Sequence, residues 1–291
     1  MPLAPFGRSA KLSRAAELTV EASPLASQIM ETSLIRLDLL DLVFAVGLIA
    51  IAIGLSAWEK LGLEFNIAIA AGRTILQLLV VGYILAFVFA LNNVWAVLAI
   101  LAVMLTIAAI VARNRISKKI PLVLPLVWGA ILISTAITLA YTNLLIIQPV
   151  RWYEPQYLIP LAGIVFGSAI NGAAIAGERL VSTINASQLE IETHLSLGAT
   201  PQQAVAQYRK DAVKAGLIPI LNQMTVVGIV TLPGIITGQL LSGVDPLDAA
   251  SYQILVLFIL AFANLVTAIL VTQGLCRQFF NAALQLVRGE G

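Results

Sequence analysis

The residues able to do chemistry are the few polar ones inside or at the edge of long apolar runs: Arg73, Gln77, Asn171, Glu178, Asn222, Thr237 and Gln239. Polar groups at such positions are costly in a bilayer and face protein or water, where they can meet a solute. The chain holds one cysteine, Cys276, and one histidine, His194. A thiolate cluster or an imidazole set therefore cannot be assembled within one chain. A metal cation held here needs oxygen ligands. Glu178, Asn171, Asn222 and Gln239 can supply them, joined by backbone carbonyls freed where Pro233 and the neighbouring Gly234 form a hinge. A chelated metal or an organic solute fits so few acidic groups equally well.

Arg73 lies about 9 Å into its run, counting 1.5 Å per residue from Ile67. It either snorkels to the headgroups or presents a fixed positive charge to the bundle, with Gln77 one turn along on the same face. In the second case it repels a bare cation and favours an anionic complex. Glu178 either marks a membrane boundary or gates the inner mouth of a pathway. Asn264, Thr267 and Thr272 read as hydrogen-bonding glue between helices.

No enzyme constellation is present. The chain lacks GxSxG, HExxH, CxxC and a glycine-rich loop ending in Gly-Lys-Ser/Thr. It is expected not to be an enzyme and not to bind ATP through a P-loop; His194 reads as a surface or interface residue.

The elements that carry these residues follow from composition. Of 291 residues, 59% are hydrophobic and 11% charged, with a mean hydropathy of +0.95. A soluble domain of this length needs far more surface charge. The fold class is all-α, a polytopic transmembrane helical bundle of about seven spans. The apolar runs fall at about 39–57, 67–90, 94–112, 122–141, 157–177, 219–241 and 252–275. Short links near Asn92 and Asp245 predict tight antiparallel hairpins. The net charge of +2 gives no reason to expect nucleic acid.

The positions of Lys and Arg set an orientation. Lys60, Arg113, Arg115, Lys118, Lys119, Arg179, Arg209, Lys210, Lys214, Arg277 and Arg288 share one face. Arg151 and the basic residues of the N-terminal segment lie on the other. The positive-inside rule then places the N-terminus outside and the C-terminus in the cytoplasm. Residues 1–38 are polar and do not read as a signal peptide; they are either a disordered segment or an over-extended reading frame with Met30 as the start. Residues 39–280 form the transmembrane domain, 178–218 its cytoplasmic loop, and 281–291 a cytoplasmic tail.

The fifth and sixth runs are rich in small residues, with Gly163-xxx-Gly167, Gly172 and Gly177 in one and Gly228 and Gly234-xxx-Gly238 in the other. Such spacing lets helices approach closely in lipid. Between these runs lies the polar stretch 184–219. Its middle, Glu192 to Ala204, predicts two short helices joined at Gly198, a residue suited to a left-handed helix end. Leu195 and Leu197 close the first helix. Thr200, Pro201 and Gln203 open the second as cap, first turn and capping box.

The stretch Glu192-Thr-His-Leu-Ser-Leu-Gly-Ala-Thr-Pro-Gln-Gln resembles the cytoplasmic EAA-type loop of bacterial ABC importer permeases, with Thr193-His194 in place of Ala-Ala. A wider set is more specific. Asn171-Gly-Ala-Ala, Glu178-Arg-Leu, Leu197-Gly-Ala-Thr-Pro, Ile218-Pro with Asn222, and Thr231-Leu-Pro-Gly-Ile-Ile-Thr-Gly-Gln-Leu-Leu-Ser-Gly together resemble the FetB-like permease family. That family includes a bacterial iron-export permease and plant permeases linked to aluminium tolerance. The resemblance covers Leu39 to Phe280.

It implies a membrane subunit, paired with a second copy, in a bacterial plasma membrane. ATP would be hydrolysed by a separate ABC-type ATPase, with no cofactor in this chain. Glu192, His194, Leu195, Leu197, Gly198, Thr200 and Pro201 would be the coupling residues, and the cargo iron or another metal. The competing classes are an ATPase-independent secondary transporter or channel, and a membrane scaffold that recruits a cytoplasmic partner.

Overall fold

The computed structural model describes residues 38–91, 93–117, 120, 122–149, 151–280 and 285. The segment 1–37, the link at Asn92, Lys118, Lys119 and most of the tail, Arg288 included, lie outside the described residues. The helices are α1 (Leu39–Trp58), α2 (Glu64–Leu91), α3 (Val94–Ile116), α4 (Val123–Tyr141), α5 (Pro155–Ala186), α6 (Gln188–Ser196), α7 (Pro201–Ala204), α8 (Ala206–Val226), α9 (Gly234–Leu241) and α10 (Pro246–Gln278). A π-helical turn, Thr142–Ile147, continues α4.

Among the described residues six helices are long and apolar enough to cross a membrane, not seven. The expected span at 219–241 is not one helix. The α8 helix stops at Val226 and α9 starts at Gly234. Between them Gly228 turns left-handed (φ 78°) and its N–H donates to the Thr231 carbonyl at 2.9 Å. Pro233 has no N–H to continue a helix and sits as N-cap of α9. The expected kink is therefore a complete break. The fifth span also differs: its helix passes Gly177 and runs to Ala186, so much of the expected loop 178–218 is helical.

The chain divides into two compact units, residues up to 75 with 233–252, and residues 76–232 with 253 onward. In the first, α1 and the start of α2 form a hairpin. Lys60 and Gly62 take left-handed conformations in its turn. The buried Ser56 hydroxyl closes it, donating to Glu64 Oε1 at 3.1 Å and accepting from the Leu63 N–H at 3.3 Å. The expected tight link at Asp245 is present, its carboxylate accepting from the Leu247 N–H at 2.9 Å where α10 begins.

The second unit is organised on α5, which packs against α3, α4 and α8. Ala162, Ala169, Ala173, Ala174 and Ala176 on α5 are fully buried. In lipid there is no hydrophobic force between helices, so small residues matter because they let backbones approach and gain dispersion contact. A Cβ at Gly177 would meet the Ile116 side chain of α3 at 2.7 Å, and one at Gly172 would meet Asn264 of α10 at 2.7 Å. Gly163 stands against Met104. Three of the four α5 glycines in the small-residue pattern are thus met by neighbours. Gly167, Gly234 and Gly238 have open space where a Cβ would be.

The glue residues pair mostly as expected. Thr267 donates to Ser134 Oγ at 2.6 Å, both buried, and Asn264 donates to the Ser168 carbonyl at 3.3 Å. Thr272 instead donates to Ala268 of its own helix at 2.8 Å.

Candidate functional site

Two short helices at one end of the second unit carry the loop. The α6 helix is held down by one residue, Ile191, which is fully buried together with Ile184 one element earlier. Both are apolar positions in a polar stretch, seven residues apart, the spacing of one helical face. Ser196 and Thr193 hydroxyls donate back into the α6 backbone. The helix then ends as the sequence predicts: Gly198 is left-handed (φ 91°), with its N–H donating to the Leu195 carbonyl and the Ala199 N–H to that of His194, both at 3.0 Å.

The α7 turn is held by the predicted capping box. The Thr200 hydroxyl accepts from the Gln203 N–H at 3.3 Å, and Gln203 Oε1 accepts from the Thr200 N–H at 2.9 Å. Pro201 and Ala204 are buried beneath it. The other side of the loop is open. Leu189 and Leu197 are each 80% exposed, His194 is exposed, and Glu192 and Leu195 are partly so. An anchored inner face and an unpartnered apolar outer edge make a protruding, ordered knob.

A residue that sequence reasoning passed over ties this knob to α8. The Tyr208 phenol hydrogen-bonds to Glu190 and Ser187. Burial first, and then the bond to the Glu190 carboxylate, push its pKa above the ordinary tyrosine value. The signal was a single aromatic in the polar run 207–211.

The intramembrane candidates divide between the two units, Arg73, Thr237 and Gln239 in the first and Gln77, Asn171, Glu178 and Asn222 in the second. Asn171 is exposed on α5 and accepts from Arg115 Nη1 of α3 at 3.2 Å. Glu178, two turns further along α5, is exposed. Asn222 is exposed near the end of α8. Arg73 and Gln77 are both exposed on α2. In the first unit, Thr237 donates to the Pro233 carbonyl at 3.1 Å, and Gln239 Oε1 is buried without a hydrogen-bond partner. Among the described residues no group of three or more His, Cys, Asp or Glu could hold a metal ion.

The second unit also contains a largely apolar cavity of about 570 Å³. It lies along α3 and α4, with Trp128 and Trp152 in its lining. Thr135 Oγ1 lines it too and has no hydrogen-bond partner.

Comparison with known proteins adds to this geometry. The profile described as Uncharacterised protein family (UPF0014) matches residues 39–280. The UPF0014 membrane protein slr1647 of Synechocystis sp. is 53% identical over 258 residues, 89% of this chain and 100% of that protein. The Probable iron export permease protein FetB of Escherichia coli is 35% identical over 247 residues, 85% of this chain and 94% of that protein. Protein ALUMINUM SENSITIVE 3 of Arabidopsis thaliana is 34% identical over 243 residues, 83% of this chain and 87% of that protein. No solved structure matches the chain.

Proposed function

Since this chain belongs to the UPF0014 family of multi-pass membrane proteins, we propose that it is the permease subunit of an ATP-driven exporter of iron or another metal in a bacterial plasma membrane. Two copies pair, and each receives a separate ABC-type ATPase on the loop 184–219. The observation that carries this reading is the knob made by α6 and α7. Ile191 anchors it, Gly198 sets its turn, and Leu197 and Leu189 stand 80% exposed with nothing among the described residues to cover them. A chain without a P-loop must receive its energy through a surface, and this is an ordered apolar one.

The loop is continuous with the two helices that a power stroke would move. The α5 helix leads into α6 through Ser187, and α8 follows α7 after Val205. Tyr208 joins the knob to α8. ATPase closure against Leu197 would then rock α8 on α5, a switch between packings that differ by a few kcal/mol. The N-terminus lies outside and the C-terminus in the cytoplasm, which requires an odd number of crossings. Six long helices supply six, and the broken segment 219–241 supplies the seventh. Non-helical backbone at membrane depth is tolerated only inside protein or along a water-filled path, so a break there suits a pathway, with Asn171, Glu178 and Asn222 of the second unit as polar positions on it and Pro233 and Gly234 as the hinge of the break.

Co-purification with a candidate ABC-type ATPase tests the docking. Glu192→Ala or Gly198→Pro should lose the complex and ATP-coupled transport, while wild-type protein in liposomes should stimulate the ATPase with the exported metal. Undiminished complex and coupling in both variants would sink the reading.

A further inference from the structure

Beside the knob, the second unit carries a partly open cavity of about 230 Å³ lined by Pro201, Gln202, Val205, Arg209, Gln273, Cys276, Arg277 and Phe280, its arginines and glutamines exposed at the rim. Two guanidinium groups and two carboxamides share it with an apolar floor. Neither Arg209 nor Arg277 makes a salt bridge among the described residues. Two uncompensated guanidiniums around one small cavity are a pattern for a phosphate ester, which each can bind through paired N–H donors.

Size and position narrow the class. Sites for drug-sized ligands run from about 300 Å³ upward, so this one suits a phosphate ester rather than a whole nucleotide. It lies at the end of α10, the last membrane-crossing helix, where Arg277 and Phe280 are two of its walls. Basic and aromatic groups at such a helix end stand at headgroup depth. We propose that this cavity binds the phosphate of an anionic phospholipid headgroup, with Arg209 and Arg277 as its ligands and Val205 and Phe280 against the glycerol and upper chain. A bound headgroup bridges α8, next to the coupling knob, and the end of α10, and so makes the knob's footing depend on lipid. The binding claim stands apart from the ATPase reading and is measured without an ATPase.

Cys276 is the chain's one cysteine and lines the cavity, which makes it a built-in reporter. The rate of its modification by a small neutral thiol reagent is measured in nanodiscs of phosphatidylcholine alone and of phosphatidylcholine with phosphatidylglycerol. Parallel samples in detergent receive inorganic phosphate or glycerol phosphate. Phosphatidylglycerol should slow modification by about tenfold near saturation, less at high salt. The protection should vanish in Arg209→Gln/Arg277→Gln and persist in Arg209→Lys/Arg277→Lys, which checks that the pair acts by charge. Equal rates in the two nanodiscs with no protection by soluble phosphate either, or protection that survives the double Gln variant, would overturn the site. Protection by soluble phosphate without protection by phosphatidylglycerol would overturn the lipid assignment.

Discussion

Gly216 of α8 lies directly against Ala176 of α5. A Cβ at position 216 would stand 3.0 Å from the Ala176 Cβ and 3.1 Å from the Gly172 carbonyl oxygen. Neither neighbour is the loose end of a long side chain, so neither can turn aside. The helix that leaves the knob is thus seated on the central helix through a contact with no room for one methyl group.

Gly216→Ala should therefore destabilise the protein despite alanine's better helix propensity, by about 1–3 kcal/mol, the range for overpacking. Gly216→Val should cost more. Thermal unfolding in detergent reads both. An increase in stability for Gly216→Ala would mean that α5 and α8 separate easily.

The Thr267–Ser134 hydrogen bond joins α10 to α4 at 2.6 Å. Interhelical hydrogen bonds in membranes average about 0.6 kcal/mol and reach about 1.7 kcal/mol. A double-mutant cycle with Thr267→Val and Ser134→Ala should return a coupling energy in that range. A value near zero would show that the one hydroxyl hydrogen of Thr267 goes instead to its other acceptor, the Ala263 carbonyl at 2.7 Å.

Leu197 and Gly198 separate docking from folding. Leu197→Ser touches an exposed side chain and should leave stability within about 0.5 kcal/mol while weakening ATPase capture. Gly198→Ala forces a Cβ into left-handed backbone and should cost about 1 kcal/mol, seen as faster hydrogen exchange at the end of α6. Equal loss of stability in both variants would mean that Leu197 is a folding residue.

Tyr208 gives a pH dependence with a definite sign. Its folded pKa is raised by burial and by the Glu190 bond, so folding favours the neutral phenol. The stabilisation is whole below the ordinary tyrosine pKa of about 10 and fades as pH rises through the higher folded value. Attachment of α6 to α8 should loosen above about pH 10 in wild-type protein. Tyr208→Phe should weaken it at neutral pH and remove the alkaline step, as followed by hydrogen exchange over residues 187–208.

Much of this was legible in the residues alone because it is local. A helix end at Gly198 needs a left-handed residue, and a capping box at Thr200 and Gln203 needs only spacing; both are present as read. Apolar runs of bilayer length announced the spans, and six are helices. The seventh was misread because hydropathy sums over a window and is blind to backbone direction. Residues 219–241 are apolar on average, yet Gly228 and Pro233 together end one helix and start another. Tertiary structure alone decided the rest. Which glycines of α5 are filled depends on what faces them: Ile116 at Gly177, Asn264 at Gly172 and nothing at Gly167. That Arg115 reaches Asn171, 56 positions away, and that Arg209 and Arg277 meet around one cavity, are properties of packed helices rather than of any stretch of chain. Local chemistry set where the backbone turns; only the packing of α5 with α3, α4 and α8 set which side chains meet.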